Sequence, residues 1–473
     1  MDRPFILTAV ITYLAVMVLI GFWYGRRIKN KDDFLVAGRS LPQWILTGTL
    51  LATWTGAGTI IGRANFTYTY GPLASVFYSL GPPLGILIMY LFLARRIRAL
   101  GKYTVPEIIE LRYGRTVRIV AACAIVLAYM SIISEQITAL GYILNLAVGV
   151  PPAVGEVVGL CLILFTAFVG GILAMAYMDA VSAIVITGAF FGGIVFVLVA
   201  VSGFSGAPTD LPADHLTWTG GLTPFQLLGF VLPGLFLFLG DQNMYQRFGA
   251  ARSPDVARRS ALGFLAGDIL FYGAVIVLAT GAVLLLPGIA PDTAILRLAT
   301  DAMPLALGAA VMMAATAFII TTGNSFVLST STNLVQDIYA SLSRRELTSK
   351  QTLWATRLTL IAVGLAAYGT SKLFPDVLAI QVFAYTMYGA VITPCLLAVF
   401  LTRRVTPAGA IASMTTGALA TIGWEFALDK PFEWNSILVS LPLSVTALVV
   451  VSLCTSPRPD VRDEPASATD RTS

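Results

Sequence analysis

The sequence predicts an all-α polytopic membrane protein with thirteen transmembrane helices, and three observations carry that class. Of 473 residues, 57% are hydrophobic and only 12% charged, with a mean hydropathy of +0.82; an ordinary soluble domain has about 25% charged residues. The apolar residues gather into uncharged runs near the ~20 residues that a ~30 Å hydrocarbon core requires. These runs are continuous rather than alternating, which favours helices over a barrel, the other structure that satisfies its backbone in lipid.

In chain order the expected spans are 4–25, 42–63, 72–94, 118–149, 153–171, 178–202, 222–246, 260–287, 303–336, 352–371, 376–402, 407–427 and 435–454. The first, "PFILTAVITYLAVMVLIGFWYG", is too long for the core of a signal peptide and runs into "RRIKNK" instead of a small-residue cleavage site. Lys and Arg set the orientation. With the N-terminus outside, twenty-five of the thirty fall in inner loops and the tail, leaving Arg3, Arg63, Arg297, Lys372 and Lys430 outside. The net charge of +5 therefore reads as a topological signal against an anionic leaflet and calls for no nucleic-acid partner. The expected location is the cell membrane, multi-pass, with a disordered cytoplasmic tail over 455–473.

Enzyme chemistry is excluded by what is missing. "GAGTIIG" at 56–62 has the spacing of a nucleotide-binding loop but lies inside the second apolar run, with no strand–turn–helix unit around it. The lone His215 sits in an expected outer loop as a solvated residue, with no nucleophile to serve. Cys123, Cys161, Cys395 and Cys454 fall in or at the ends of spans, a poor basis for a disulfide framework or zinc site. No cofactor is expected.

Two spans are unusual in their polar content. In span 2, "LLATWTGAGTIIGRANF", glycines costing about 1 kcal/mol each against alanine make a helix break near Thr55–Gly58 reasonable. Unwound backbone at that depth can line a cavity and offer carbonyls to a cation; the same small residues can also simply let helices approach. In span 9, "FIITTGNSFVLSTSTNLVQDIY", nine hydroxyl or amide side chains occupy the thirteen residues from Thr321 to Asn333. At 100° per residue, Thr321, Thr332, Ser325, Ser329, Thr322 and Asn333 share about one third of the circumference. Neutral oxygens on one face suit a monovalent cation. The competing account is Ser and Thr bonding back to their own helix. Charges within spans are functional candidates: Arg63, Glu135, Asp179, Asp241 and Asp268, with Asp337 and Glu425 nearer span ends. Spans 2–6 and 7–11 are two sets of five. Because five is odd, the second set enters the membrane in the opposite sense, as an inverted repeat requires.

Several stretches together resemble the sodium:solute symporter family. They are "DFLVAGRSLPQW", "TVPEIIELRYG", "GGILAMAYMDAV", "GDQNMYQRFGAARSPDVARRS" and "STSTNLVQDIY". The resemblance implies two inverted five-helix repeats of the leucine-transporter kind, here 42–202 and 222–402. Residues 1–41 would form a peripheral span with its basic loop, and 403–454 two further peripheral spans. The implied activity is sodium-coupled uptake of a small organic solute, with the solute, sodium and the bilayer as partners and the oligomeric state undefined. It also implies a sodium site made by the carbonyls of Ala52, Thr55 and Phe318 and the hydroxyls of Thr321 and Thr322. A second sodium would involve Asp179 with Asn324 and Ser325, where Asn replaces the usual hydroxyl. Trp54, Thr59, Tyr78, Asp241 and Thr386 fall near solute positions. "TWTGAG" is similar to "TWVGGG" of the choline-transporting branch, and an indole suits a quaternary ammonium. Proline-transporting members carry aspartate at the Trp54 position. Proton coupling through Glu135, Asp179 or Asp241, and a solute sensor that does not transport, are the alternatives.

Overall fold

A computed structural model of the chain describes residues 3–26, 31–169, 172–203, 211–343 and 348–455. Among them there is no strand beyond an isolated bridge between Leu41 and Ala251. The main helices are α1 (Arg3–Gly25), α2 (Gln43–Trp54 and, after a 61° bend, Gly58–Tyr70) and α3 (Pro72–Leu100). They continue as α4 (Arg115–Val148), α5 (Pro152–Val169), α6 (Ile172–Gly203), α7 (Pro224–Ala250) and α8 (Pro254–Leu285). The last five are α9 (Leu305–Ser343), α10 (Ser349–Thr370), α11 (Val377–Leu401), α12 (Pro407–Ile422) and α13 (Ile437–Cys454). All thirteen expected segments are thus helical, but the number of crossings is not settled at thirteen. Nine of the described helices, or ten with the bent α2, are long and apolar enough to span; α5, α10 and α12 fall short in length or hydropathy.

Local chemistry explains many of the boundaries. Proline opens α3, α7, α8 and α12, where a missing N–H costs nothing. Thr223 with Gln226 and Thr348 with Gln351 form capping boxes. Segments Gly58–Gly62 and Asn333–Tyr339 are π-helical, a widening often found at functional positions.

Burial sorts the helices. Every residue of α9 from Ala314 to Asn333 is buried, enclosed by α1, α4, α5, α6 and α10. By contrast α6 exposes Ile184, Val195, Leu198 and Val199, as a lipid-facing helix does. The basic loops converge on one face: Arg39 donates to the Gly101 carbonyl (2.6 Å), Arg95 pairs with Asp255 (2.6 Å) and Arg98 donates to the Ala251 carbonyl. The opposite face is tied by Asn65 to Asp292 (2.7 Å), Tyr68 to the Leu286 carbonyl (2.8 Å) and Lys430 to Glu425 (2.6 Å).

Two readings of loop residues need correction. His215 is buried instead of solvated: its Nε2 lies 3.1 Å from the Thr69 carbonyl, and its backbone packs on Gly71, whose φ of +90° requires glycine. Arg247, counted by position among the loop charges, is 1% exposed and lies inside the bundle. The four cysteines are free. The expected tail beyond Thr455 lies outside the described residues.

Candidate ion and solute sites

The helical ladder of α2 fails where the glycines cluster. Thr55 has φ −85° and ψ 84°, outside the helical region. The amides of Thr59 and Ile60 both bond to the Gly56 carbonyl (3.1 Å each), so the Thr55 carbonyl loses its usual partner. The Ala57 amide donates to Gln136 of α4 (2.9 Å). Across this gap stands α9. Thr322 Oγ1 lies 3.2 Å from the carbonyl oxygens of both Ala52 and Thr53, donating to them, and Thr321 Oγ1 is 3.1 Å from the Phe318 carbonyl. A Cβ on Gly56 would fall 2.7 Å from Thr322 Cγ2 and 2.9 Å from Gln136 Oε1; only glycine lets the two helices approach this closely. Of the five residues expected to hold sodium, Thr322 and Ala52 meet across the gap, Thr321 is bonded to Phe318 within α9, and the Thr55 hydroxyl is buried without a partner. The Thr53 carbonyl is an additional oxygen that the sequence did not single out.

The polar face of α9 continues toward the basic side. Ser325, Ser329 and Asn333 each meet another helix: Ser325 accepts from Arg247 (2.7 Å), Ser329 donates to Asn243 (2.6 Å), and Asn333 accepts from Gln242 (2.8 Å). Thr330 and Thr332 bond back to their own helix (2.7 and 2.8 Å), as the packing account predicts. Asp179 is buried and accepts from Thr49 (2.6 Å), Thr53 (3.3 Å) and the guanidinium of Arg247 (3.4 Å). Arg247 thus sits between Asp179 and Ser325, where a second cation was expected. Asn324 is not brought to them. It faces α5, where its amide nitrogen donates to the carbonyls of Ile163 (2.9 Å) and Ile320 (3.0 Å) and its oxygen accepts from Thr166 (3.0 Å).

Beside the break lies a cavity of about 10 Å³, lined by Trp54, Thr59, Arg63, Tyr78, Tyr272, Gln381 and Tyr385, with Phe230 and Val382 on its outer wall. Trp54, Thr59 and Tyr78 are where a solute site was expected; Asp241 and Thr386 are not. Asp241 interrupts α7, caps its second half by accepting from the Asn243 amide (2.8 Å), and is bonded by the Tyr129 hydroxyl. Thr386 is buried against Asn435 (2.9 Å). The indole of Trp54 donates to Tyr272 (2.7 Å) and stands edge-on to Phe238 (centroids 5.0 Å). Tyr272, Gln381 and Tyr385 escaped the sequence reading because aromatics and single amides at helical spacing look like ordinary packing. Arg63, expected near a span end, is 2% exposed and belongs to the cavity wall.

Comparison with known proteins places this architecture. Residues 34–417 match the model of the sodium:solute symporter family. The high-affinity proline transporter PutP of Bacillus subtilis is 26% identical over 95% of this chain and 98% of its own. The sodium/proline symporter of Escherichia coli is 25% identical over 91% and 88%. A sodium-coupled sialic acid symporter, solved in a substrate-bound outward-open state, superposes with a TM-score of 0.81 at 18% identity over 96% of this chain and 98% of that one. A nucleobase-cation-symport-1 transporter, Mhp1, follows at 0.60 and 13%, over 90% and 96%. The likeness of span 2 to the choline-transporting branch is not supported by these relatives. The chain belongs to the sodium:solute symporter family, with the leucine-transporter type of fold, and is a sodium-coupled secondary transporter of a small solute and not an enzyme.

Proposed function

We propose that sodium is held at the junction of α2 and α9 by the carbonyls of Ala52, Thr55 and Phe318 and the hydroxyls of Thr321 and Thr322. The observation that carries this is the Thr322 hydroxyl, which reaches from an unbroken helix to two carbonyls of a broken one. An ion shared by two helices binds only while they are together. It therefore has different affinities for the states in which they are joined and parted, as any ion that shifts such an equilibrium must. The basic face is the cytoplasmic one by the positive-inside rule, with the N-terminus outside and the C-terminus within. Residues 42–202 and 222–402 are the two repeats; the first helix of each, α2 and α7, is the one that breaks near the middle. The solute binds beside Trp54, Thr59 and Tyr78, where the cavity of about 10 Å³, room for roughly one water, must widen to admit it; L-proline is the first solute to try, given the relatives.

One sodium per cycle fits best. The guanidinium of Arg247 supplies a fixed positive charge between Asp179 and Ser325, and Asn324 is turned away from both. The expected result for Thr322→Ala, in proteoliposomes with an imposed sodium gradient, is a rise of at least about tenfold in the sodium concentration for half-maximal uptake, equivalent to ~1.4 kcal/mol. Protein level and fold should be unchanged. Sodium dependence identical to wild type would sink the assignment, and uptake that follows a pH gradient without sodium would favour proton coupling instead.

A further inference from the structure

We infer that the solute carries a carboxylate and that Arg63 binds it. The inference rests on the reading of the cavity as the solute site. Three buried or largely buried arginines can be compared. Arg247 has Asp179, and Arg118 has Asp337, Glu110 and Glu107. Arg63 is as buried as Arg247, yet among the described residues no carboxylate comes within ion-pairing distance. Its partners are the faces of Tyr272 and Tyr78, with guanidinium-to-centroid distances of 3.6 and 4.7 Å, and the Ser79 hydroxyl. Its Nε–H has no acceptor. A guanidinium does not lose its charge in a protein, and a buried charge without a hydrogen-bonded counterion is costly. A planar fork of donors facing a cavity matches a carboxylate in two parallel hydrogen bonds.

Gln381 also lines the cavity, but its orphan Oε1 is turned to Gly62 of α2, 2.2 Å from where a Cβ there would stand, and is not aimed at the solute space. The aromatic rings of the cavity wall take the apolar body. Access limits the number of negative charges. Beyond Phe230 and Val382 opens a vestibule of about 350 Å³ lined by Asp376, Glu425, Asp429 and Glu433 against Lys430 alone. That field gathers cations, is nearly neutral toward zwitterions and opposes anions, dicarboxylates most, so a zwitterionic carboxylate is the form it admits best. The nearest alternative role for Arg63 is as a distant countercharge to Asp268. That residue is buried one turn from Tyr272, and neither of its oxygens is bonded.

The test uses the purified full chain in lipid nanodiscs and measures thermal stabilisation in sodium by L-proline, L-serine, L-lactate and propionate, each beside its primary amide. Ligand binding to the native state raises the melting temperature by mass action. At least one of the amino or hydroxy acids should bind about 10- to 100-fold more tightly than its amide, the range for charge-assisted hydrogen bonds. Propionate, which offers Arg63 a carboxylate and no other polar group, should also bind more tightly than its amide. Arg63→Gln should remove the preference for acid over amide, and Arg63→Lys should restore part of it. Acids and amides binding equally to the wild type would overturn the inference without any variant. So would a double change of Arg63→Gln with Asp268→Asn that regains acid selectivity, since Arg63 would then be only a countercharge. Stabilisation by sodium alone reports the ion site separately. If sodium stabilises and no acid does, the carboxylate assignment falls while the ion site stands.

Discussion

At the basic face, Arg118 of α4 meets Glu110, Asp337 and Glu107 at 2.6, 2.7 and 3.4 Å, and Thr104 adds a 3.0 Å hydrogen bond to Asp337. Behind them Gln242 holds Asn333, and Ser329 is bonded to Asn243 and Gln246 (2.6 and 2.9 Å). At the opposite face the separation between vestibule and cavity is two apolar side chains, Phe230 and Val382. The ion pairs there have half-exposed partners: Arg297 with Asp301 is 44% and 41% exposed, and Lys430 is 42% exposed. The two closures therefore differ in kind. Parting the basic face strips buried charges and amides of their partners, at about 1–3 kcal/mol for each orphaned group. Parting the other face turns a partly buried ring and breaks one buried tie, Asp292 with Asn65 (2.7 Å) and the Val377 amide (3.0 Å). The larger number of buried partners at the basic face favours opening away from it, and the ion junction proposed for α2 and α9 lies between the two closures.

The comparison can be broken most strongly at Asp337. Asp337→Ala removes a wholly buried partner while leaving Arg118 with Glu110, so a loss of roughly 2–4 kcal/mol is expected, at or just below the range for a broken buried pair. In a chain whose other three cysteines are serine, Cys395, buried beside Tyr113 of the segment Val105–Tyr113, should label faster with a maleimide as the basic face loosens. Unchanged stability and labelling would mean that the charged cluster closes nothing. Gln242→Ala comes next. It orphans Asn333 and the Val105 amide, which now donates to Gln242 at 3.2 Å, and should cost about 1–3 kcal/mol while speeding Cys395 labelling less. Phe230→Ala should have the smallest effect on stability, about 1 kcal/mol, since its partly buried ring leaves limited apolar area to lose. It should nonetheless quicken solute entry, read as a faster association rate by stopped flow, without altering Cys395 labelling. A Phe230 variant as destabilised as the Asp337 variant would erase the distinction between the two closures.

Much of this was legible residue by residue. The glycine cluster of span 2 announced a break because each glycine weakens the helix locally, and local weakness is a sequence property. The hydroxyl face of span 9 followed from a fixed angle per residue. Arg247 was misplaced because counting charges against a loop boundary records position along the chain and not depth in the bundle. Asn324 could be assigned an azimuth, about 60° from Thr321 and about 100° from Ser325, but not the helix found there, which is α5 and not α6. Asp241 and Thr386 lay near the right helices, yet each side chain is claimed by a neighbour, the capped amides of α7 and Asn435.

The sequence by itself determined the solvent this chain folds in, the helical nature of its segments, the place where α2 breaks and the family to which it belongs. Those properties depend on composition, on periodicity and on motifs that survive in order. Only the tertiary structure decided that Thr322 caps the carbonyls of Ala52 and Thr53, that Arg247 enters the bundle to meet Asp179, and that Arg63 faces a cavity without a carboxylate. These are contacts between residues 68 to 270 positions apart, or the want of one. The packing of helices chooses them, because a helix fixes which way a side chain points but not what stands opposite.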